Sequence, residues 1–426
     1  MIKILDCSSV DRAEIFQRGN LSDTKAVEEA VAAILADVRT RGDAAVLEYT
    51  ARFDGSQLSA LAVTEAEIEE AYASCEPFFL ESLERAAENI RTFHSRQVHN
   101  NFVITGADGT VLGQRVLPIE RVGLYVPGGT ASYPSSVLMN AIPAKIAGVS
   151  RIVLVTPPGR DGKINPAVLA AARIAGVTDI YKMGGAQAVA ALAYGTQSVP
   201  KVDKIVGPGN IYVSVAKRMV YGMVDIDMIA GPSEILVLAD ATANPAYVAA
   251  DLLSQAEHDR LASAVLVCDS MELAKRVQAE VERQLALLPR EEIARASIEA
   301  NGKIIVAADL AEGIDIANEI APEHLEICVD EPFRYLDSIK NAGSVFLGKH
   351  APEALGDYLA GPNHTLPTLG TARFSSPLSV DEFVKRSSFL YYTKDALANV
   401  RDNIVEIAQH EKLDAHAKSV SIRFEE

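Results

Sequence analysis

The segment DLLSQAEHDR, residues 251–260, sets two metal-capable side chains, Gln255 and His258, three positions apart. On a helix that spacing puts both on one face, so they converge on one point while Glu257 faces elsewhere. The same stretch also reads as a chance polar surface. Other histidines keep similar company: His324 in APEHLEI, His364 in GDYLAGPNHTLPT with Asp357 ahead of it, and His416 in QHEKLDAHAKS. Each alone is more often a hydrogen-bonded or solvated residue. Together they offer nitrogen and oxygen donors without thiolate, a set suited to zinc or another divalent ion held by imidazole and carboxylate.

Glu323 and His324 are adjacent. On extended backbone neighbouring side chains point to opposite sides, which makes the two poor joint ligands of one ion but leaves them available as two proton-transfer groups. The plainer reading is a loop carboxylate beside its neighbour. Three short apolar runs end in glycine, LYVPGGT, YKMGGAQAVAAL and IVGPGN. In open α/β sheets such ends let backbone amides and a helix N-terminus approach a pyrophosphate, although none is the GxGxxG fingerprint and the pattern alone favours plain tight turns. The four cysteines, Cys7, Cys75, Cys268 and Cys328, form no CxxC pair, and the last two sit in strand-like runs as expected of buried, inert thiols.

These groups need elements to position them. From Ser22 to about Gln97 apolar residues recur at three and four, as in AVEEAVAAILADVRTRG, which predicts helices. RVGLYVP, RIVLVTPP, DIYKMGG and DKIVGPGN then alternate with Ala-rich helical stretches, and EILVLAD, SAVLVCD, KIIVAAD, LEICVD and SVFLG form a second such series. Strands alternating with helices predict parallel βαβ units, hence two α/β sheets. The last part of the chain changes to strand-like runs followed by two amphipathic helices, too small to hold a generous core alone. The 426 residues predict several domains, and 49% hydrophobic with 23% charged residues is the balance of a folded globular protein. A formal net charge of −17 with no long basic run argues against a nucleic-acid or anionic-membrane partner. The chain has no apolar run long enough to span a membrane and no signal-peptide core, so a cytoplasmic location is expected.

Taken along the chain, GPGN, AGPSEILV, SQAEHD, APEHLEI, GDYLAGPNHTLPT and HEKLDAHAKS resemble histidinol dehydrogenase over nearly the whole length. The resemblance implies one zinc ion per subunit bound by Gln255, His258, Asp357 and His416, the last supplied by the partner in an interlocked homodimer. It implies oxidation of L-histidinol to L-histidine through the aldehyde with two NAD⁺. His324 would take the alcohol proton as a neutral imidazole of pKa ~6.5, and Glu323 would activate water on the aldehyde. Ser233, His364 and Glu411 match substrate contacts, Glu411 also from the partner; the four zinc ligands, Glu323 and His324 line the same substrate site. Tyr125, Gln187 and Asn210 match NAD⁺ contacts.

The implied fold is α/β: two incomplete Rossmann-like domains with N-terminal helices and a small C-terminal tail domain. Its divisions are an arm, 1–22; a discontinuous substrate and zinc domain, 23–117 with 234–375; a nucleotide domain, 118–233; and a dimer-crossing tail, 376–426. The link between GPGN and AGPSE is shorter than in some relatives. Two other readings compete: a paralogous zinc and NAD-dependent dehydrogenase of another small polyol or amino alcohol, and a catalytically silent binding protein on the same fold. Retention of His364 and Glu411 favours the histidinol reading over the first, and intact Glu323 and His324 speak against the second.

Overall fold

A computed structural model describes residues 1–10, 12–16, 25–128 and 132–425. The C-terminal part of the expected arm and the last residues of LYVPGGT lie outside these. The strands are β1 (Lys3–Asp6), β2 (Phe102–Thr105), β3 (Val111–Pro118), β4 (Arg121–Tyr125), β5 (Arg151–Thr156), β6 (Asp179–Lys182), β7 (Lys204–Val206), β8 (Asp225–Ile226), β9 (Glu234–Ala239), β10 (Ser263–Cys268), β11 (Lys303–Val306), β12 (His324–Cys328), β13 (Ser344–Leu347) and β14 (Val384–Tyr391). Two compact units result: residues 1–97 with 119–383, and residues 98–118 with 384–426.

The first unit contains two wholly parallel sheets, ordered β6-β5-β4-β7-β8 and β1-β11-β10-β9-β12-β13. Every residue of β9 and β12 is buried, as expected where helices cover both faces of a sheet. Local chemistry starts and stops those helices. Thr64 and Glu67 form a capping box ahead of Glu65–Ser74. Pro134–Ala147 and Pro166–Ala175 each begin with proline and end on a left-handed glycine, Gly148 and Gly176. Each sheet is sandwiched between apolar clusters, the core of its half.

Several boundaries differ from the expected ones. The N-terminal helices pack on the first sheet's layers, not the second's: Lys25–Arg41 lies against Gly185–Tyr194 and Ile211–Val220, Glu65–Ser74 against Pro166–Ala175, and Pro77–His94 against Pro134–Ala147. Their apolar stripes complete the two clusters around β4 to β7, where Val31, Leu35, Ala87 and Ile90 are buried. The start of the arm is not free chain, because β1 pairs in parallel with β11 and buries Ile2 and Leu5. In the second unit β14 pairs antiparallel with β3, which also pairs with β2, so residues 98–118 join the tail's sheet. Its two helices, Lys394–His410 and Asp414–Ser421, pack on each other. Among the described residues no helix is long and apolar enough to cross a membrane.

Candidate functional site

In the second sheet the order reverses between β9 and β12, which are neighbours although two other strands separate them in sequence. Glu234 opens β9 and His324 opens β12. The backbone of this one residue orients both expected proton-transfer groups: the Glu234 N–H donates to Glu323 Oε2 at 2.9 Å, and its carbonyl lies 3.1 Å from His324 Nδ1. A carbonyl only accepts, so Nδ1 carries hydrogen and Nε2 is the nitrogen that gains or loses a proton. Nε2 has no hydrogen-bond partner among the described residues. It stands 3.6 Å from Asp357 Oδ1, beyond hydrogen-bond length. Glu323 precedes the strand, and its carboxylate reaches within 3.8 Å of His324 Nδ1, so the two side chains converge rather than part as extended backbone would have them.

Burial lifts Glu323 to about 7. For His324 burial pushes the pKa down, but Glu353, Glu323 and Asp357 outweigh it and raise the imidazole to about 10. A neutral imidazole, as expected from sequence, therefore requires a cation to offset these three carboxylates, whose convergence composition does not reveal. Asp357 is held below the usual carboxylate range: burial works upward, and the imidazoles of His324, His364 and His258 work against it. His258 and His364 are both lowered, chiefly by burial.

Two of the expected ligands, His258 and Asp357, come together with a further carboxylate beside them. Ligand atoms of His258, Asp357 and Glu353 lie within 4.8 Å of one another, and Glu353 was not singled out in the sequence. Its signal was its place four residues before Asp357, which puts the two on one face of the helix Glu353–Tyr358. Gln255 is buried in the last turn of Pro245–Ala256. His258 is not on that helix; it follows the end in a turn closed by its N–H to the Gln255 carbonyl at 3.2 Å, and the turn brings it to the same cavity. His364 Nδ1 lies 3.0 Å from the Asp357 carbonyl and its Nε2 lies 3.1 Å from Ser136 Oγ, a second group the sequence reading missed. Glu411 and His416 belong to the second unit, where both are exposed.

A cavity of about 1040 Å³ is lined by Gln255, His258, Glu323, His324, Asp357 and His364, with Ser233 and, from the first sheet's side, Gly209 and Asn210. Tyr125 and Gln187 do not line it. Tyr125 is buried and its hydroxyl accepts the Gly185 N–H at 3.0 Å; Gln187 is buried with neither amide atom partnered among the described residues. Asn210 Oδ1 caps the helix Ile211–Val220 by accepting from Tyr212 and Val213, so only its nitrogen is left to face a ligand. Gly207 has φ of 111°, and a Cβ there would stand 2.1 Å from the Tyr125 carbonyl oxygen. Its N–H donates to Asp227 at 2.7 Å and its carbonyl accepts from Lys217 at 2.9 Å, and Lys217 and Asp227 form a fully buried ion pair. Cys328 and Cys268 are buried in strands, their thiols pushed by burial to about 12 and about 11.

A family model described as histidinol dehydrogenase matches residues 17–424. A histidinol dehydrogenase of Listeria monocytogenes serotype 4b (strain F2365) is 60% identical over 400 residues, 94% of this chain and 93% of that protein. One from Clostridium acetobutylicum is 54% identical over 429 residues, covering 100% and 99%. The crystal structure of histidinol dehydrogenase from Elizabethkingia anophelis is similar with a TM-score of 0.93 at 40% identity, covering 99% of this chain and 98% of that one.

Proposed function

The chain belongs to the histidinol dehydrogenase family of oxidoreductases, and from that premise we propose that it oxidises L-histidinol to L-histidine with two NAD⁺ and one zinc ion per subunit, in the last steps of histidine biosynthesis. The observation that carries this reading is the pinning of Glu323 and His324 by the backbone of Glu234 at the wall of a cavity that also holds the donor cluster.

The residues present fit a metal. His258 and Asp357 offer nitrogen and oxygen within one small volume, with Gln255 buried at its edge. Gln255, His258 and Asp357 would hold the ion, and His416 of a second subunit would complete the set. When bound, zinc supplies a Lewis acid that orients the amino alcohol and its oxygen. They also fit a dinucleotide: helices start at Gly185 and Ile211, after the carboxyl ends of β6 and β7. Gly128 and Gly184 allow close approach to Pro157, which a Cβ would strike at 2.6 and 2.8 Å, and the orphaned amide of Gln187 lies near the start of the first of these helices.

In this reading a cation held beside Asp357 would offset the carboxylates that keep His324 charged, and the neutral Nε2 then accepts the alcohol proton as hydride leaves the substrate carbon for NAD⁺. Glu323 then takes a proton from water as that water adds to the aldehyde, and the hydrate yields its hydride to a second NAD⁺. Per alcohol the balance is one water and two NAD⁺ consumed, with the carboxylate, two NADH and three protons formed. A carboxyl group near 7 exchanges protons readily at neutral pH. Ser233, His364 and the partner-derived Glu411 contact the substrate, and Tyr125, Gln187 and Asn210 serve the nucleotide, the two buried ones by shaping the loops.

NADH yield tests the reaction. L-histidinol should give two equivalents per mole and simple polyols none; one equivalent, or turnover of polyols alone, would overturn it. For the shared site, inactive His416→Asn and His258→Asn chains should regain activity when mixed, because one hybrid site is intact. No rescue on verified subunit exchange removes the sharing.

A further inference from the structure

Behind the expected metal ligands lies a buried carboxylate that the proposed reaction does not use. Glu353 is 2% exposed and Gln255 1%. The Gln255 amide faces the Glu353 carboxylate at contact distance. With oxygen toward the ionised carboxylate, three lone-pair-bearing oxygens would crowd together without a proton. With nitrogen toward it, the amide donates to both carboxylate oxygens, one at 2.9 Å. This second orientation satisfies the buried amide hydrogens and leaves Gln255 Oε1 as the free end.

An amide binds a divalent cation through oxygen, since its nitrogen lone pair is delocalised into the carbonyl. Fixing the nitrogen therefore selects the ligand atom. Glu353 is itself held: its N–H donates to Glu326 Oε1 at 2.8 Å, and its Oε2 accepts from Ser254 Oγ at 3.4 Å. Glu326 lies on β12 two residues beyond His324 and is buried. The strand that carries the proton acceptor thus also fixes, through Glu326 and Glu353, the rotamer of Gln255. Glu353 could alternatively be a ligand itself, given its closeness to His258 and Asp357. Hydrogen bonds to both of its oxygens from Gln255 favour the supporting role.

We propose that Glu353 is a positioning residue that turns Gln255 so that Oε1 faces the metal, an inference that rests on the metal reading above. Outer hydrogen-bond partners of metal ligands typically change affinity by about 10–100-fold. The test is zinc affinity of the metal-free full-length protein, by competition with a chromophoric chelator, with folding followed by thermal unfolding. Glu353→Met removes the acceptor and should weaken zinc about 10–100-fold. Glu353→Gln keeps an acceptor oxygen and should recover most of the affinity.

In a Gln255→Ala background the Glu353→Met loss should vanish, because Glu353 then has nothing to orient. Wild-type affinity in a folded Glu353→Met protein overturns the inference while leaving the metal reading intact. Losses that add across the two positions, or a Gln variant as weak as Met, also overturn it and make Glu353 a direct ligand. Unchanged affinity in Gln255→Ala overturns both this inference and the metal assignment to Gln255. If Glu353→Met does not fold, Glu353→Ala, which also removes the acceptor, takes its place in the same cycle with Gln255→Ala, expected to be non-additive.

Discussion

The carboxyl ends of the first sheet and the amino ends of the second border the same cavity and are built from opposite materials. On the first sheet the working parts are backbone: Gly128, Gly184 and Gly207 permit close approach, and the buried Lys217–Asp227 pair grips both polar groups of Gly207. On the second sheet they are side chains, with Glu323, His324, Glu353 and Asp357 crowded around strand openings. The difference follows from the tasks proposed for each. A dinucleotide is recognised along its phosphates by amides, whereas proton transfer and metal binding need titratable and ligating groups at fixed points. The second site also departs from the usual placement of ligands beyond the carboxyl ends of strands, although it keeps to the point where strand order reverses.

That contrast can be broken by substitution, and the side-chain region should give the largest effect. Glu323→Gln should slow aldehyde oxidation about 10³-fold while alcohol oxidation persists, as read in single turnovers started from each substrate. Equal losses in both would mean that Glu323 does not act on water. In the wild type the aldehyde step should speed up as pH rises through about 7, where this carboxyl ionises. Chelation should lower activity by about 100-fold, recovered by zinc; NMR of the chelated protein should show His324 still protonated above pH 8, given its pKa of about 10.

The backbone region should respond more mildly in rate and more strongly in stability. Gly207→Ala, strained at φ of 111° and set against the Tyr125 carbonyl, should cost about 3 kcal/mol and raise the KM for NAD⁺ about tenfold with kcat little changed. Calorimetry and initial rates separate the two. The smallest effect on rate concerns Glu326, which acts on stability alone and is raised from 4.5 to about 9 by burial and by Asp251 beside it. A raised folded pKa means its stabilising contribution is complete below about 4.5 and is lost as pH climbs through about 9. The melting temperature of metal-free protein should fall between those limits, and Glu326→Gln should flatten the slope.

Some of this was readable in the chain. Short apolar runs located the parallel strands, apolar residues recurring at three and four located the helices between Ser22 and Gln97, and residue types alone indicated a nitrogen and oxygen donor set without thiolate. The reading failed where partners are distant. Helices counted with the second sheet cover the first, since an amphipathic stripe shows that a face is buried and not against what. Residues 98–118 join the tail's sheet through antiparallel pairing with β14, a match invisible in either segment alone.

What the sequence determined by itself is the inventory: which groups can bind, ligate or move protons, and which local elements carry them, because periodicity and capping act over a few residues. Tertiary structure decided how the groups act on one another. Glu234 lies 89 positions from the Glu323 carboxylate that it fixes, and Ser254 lies 99 positions from Glu353. Burial and neighbouring charge set proton affinity, and both depend on which distant segments the fold brings together.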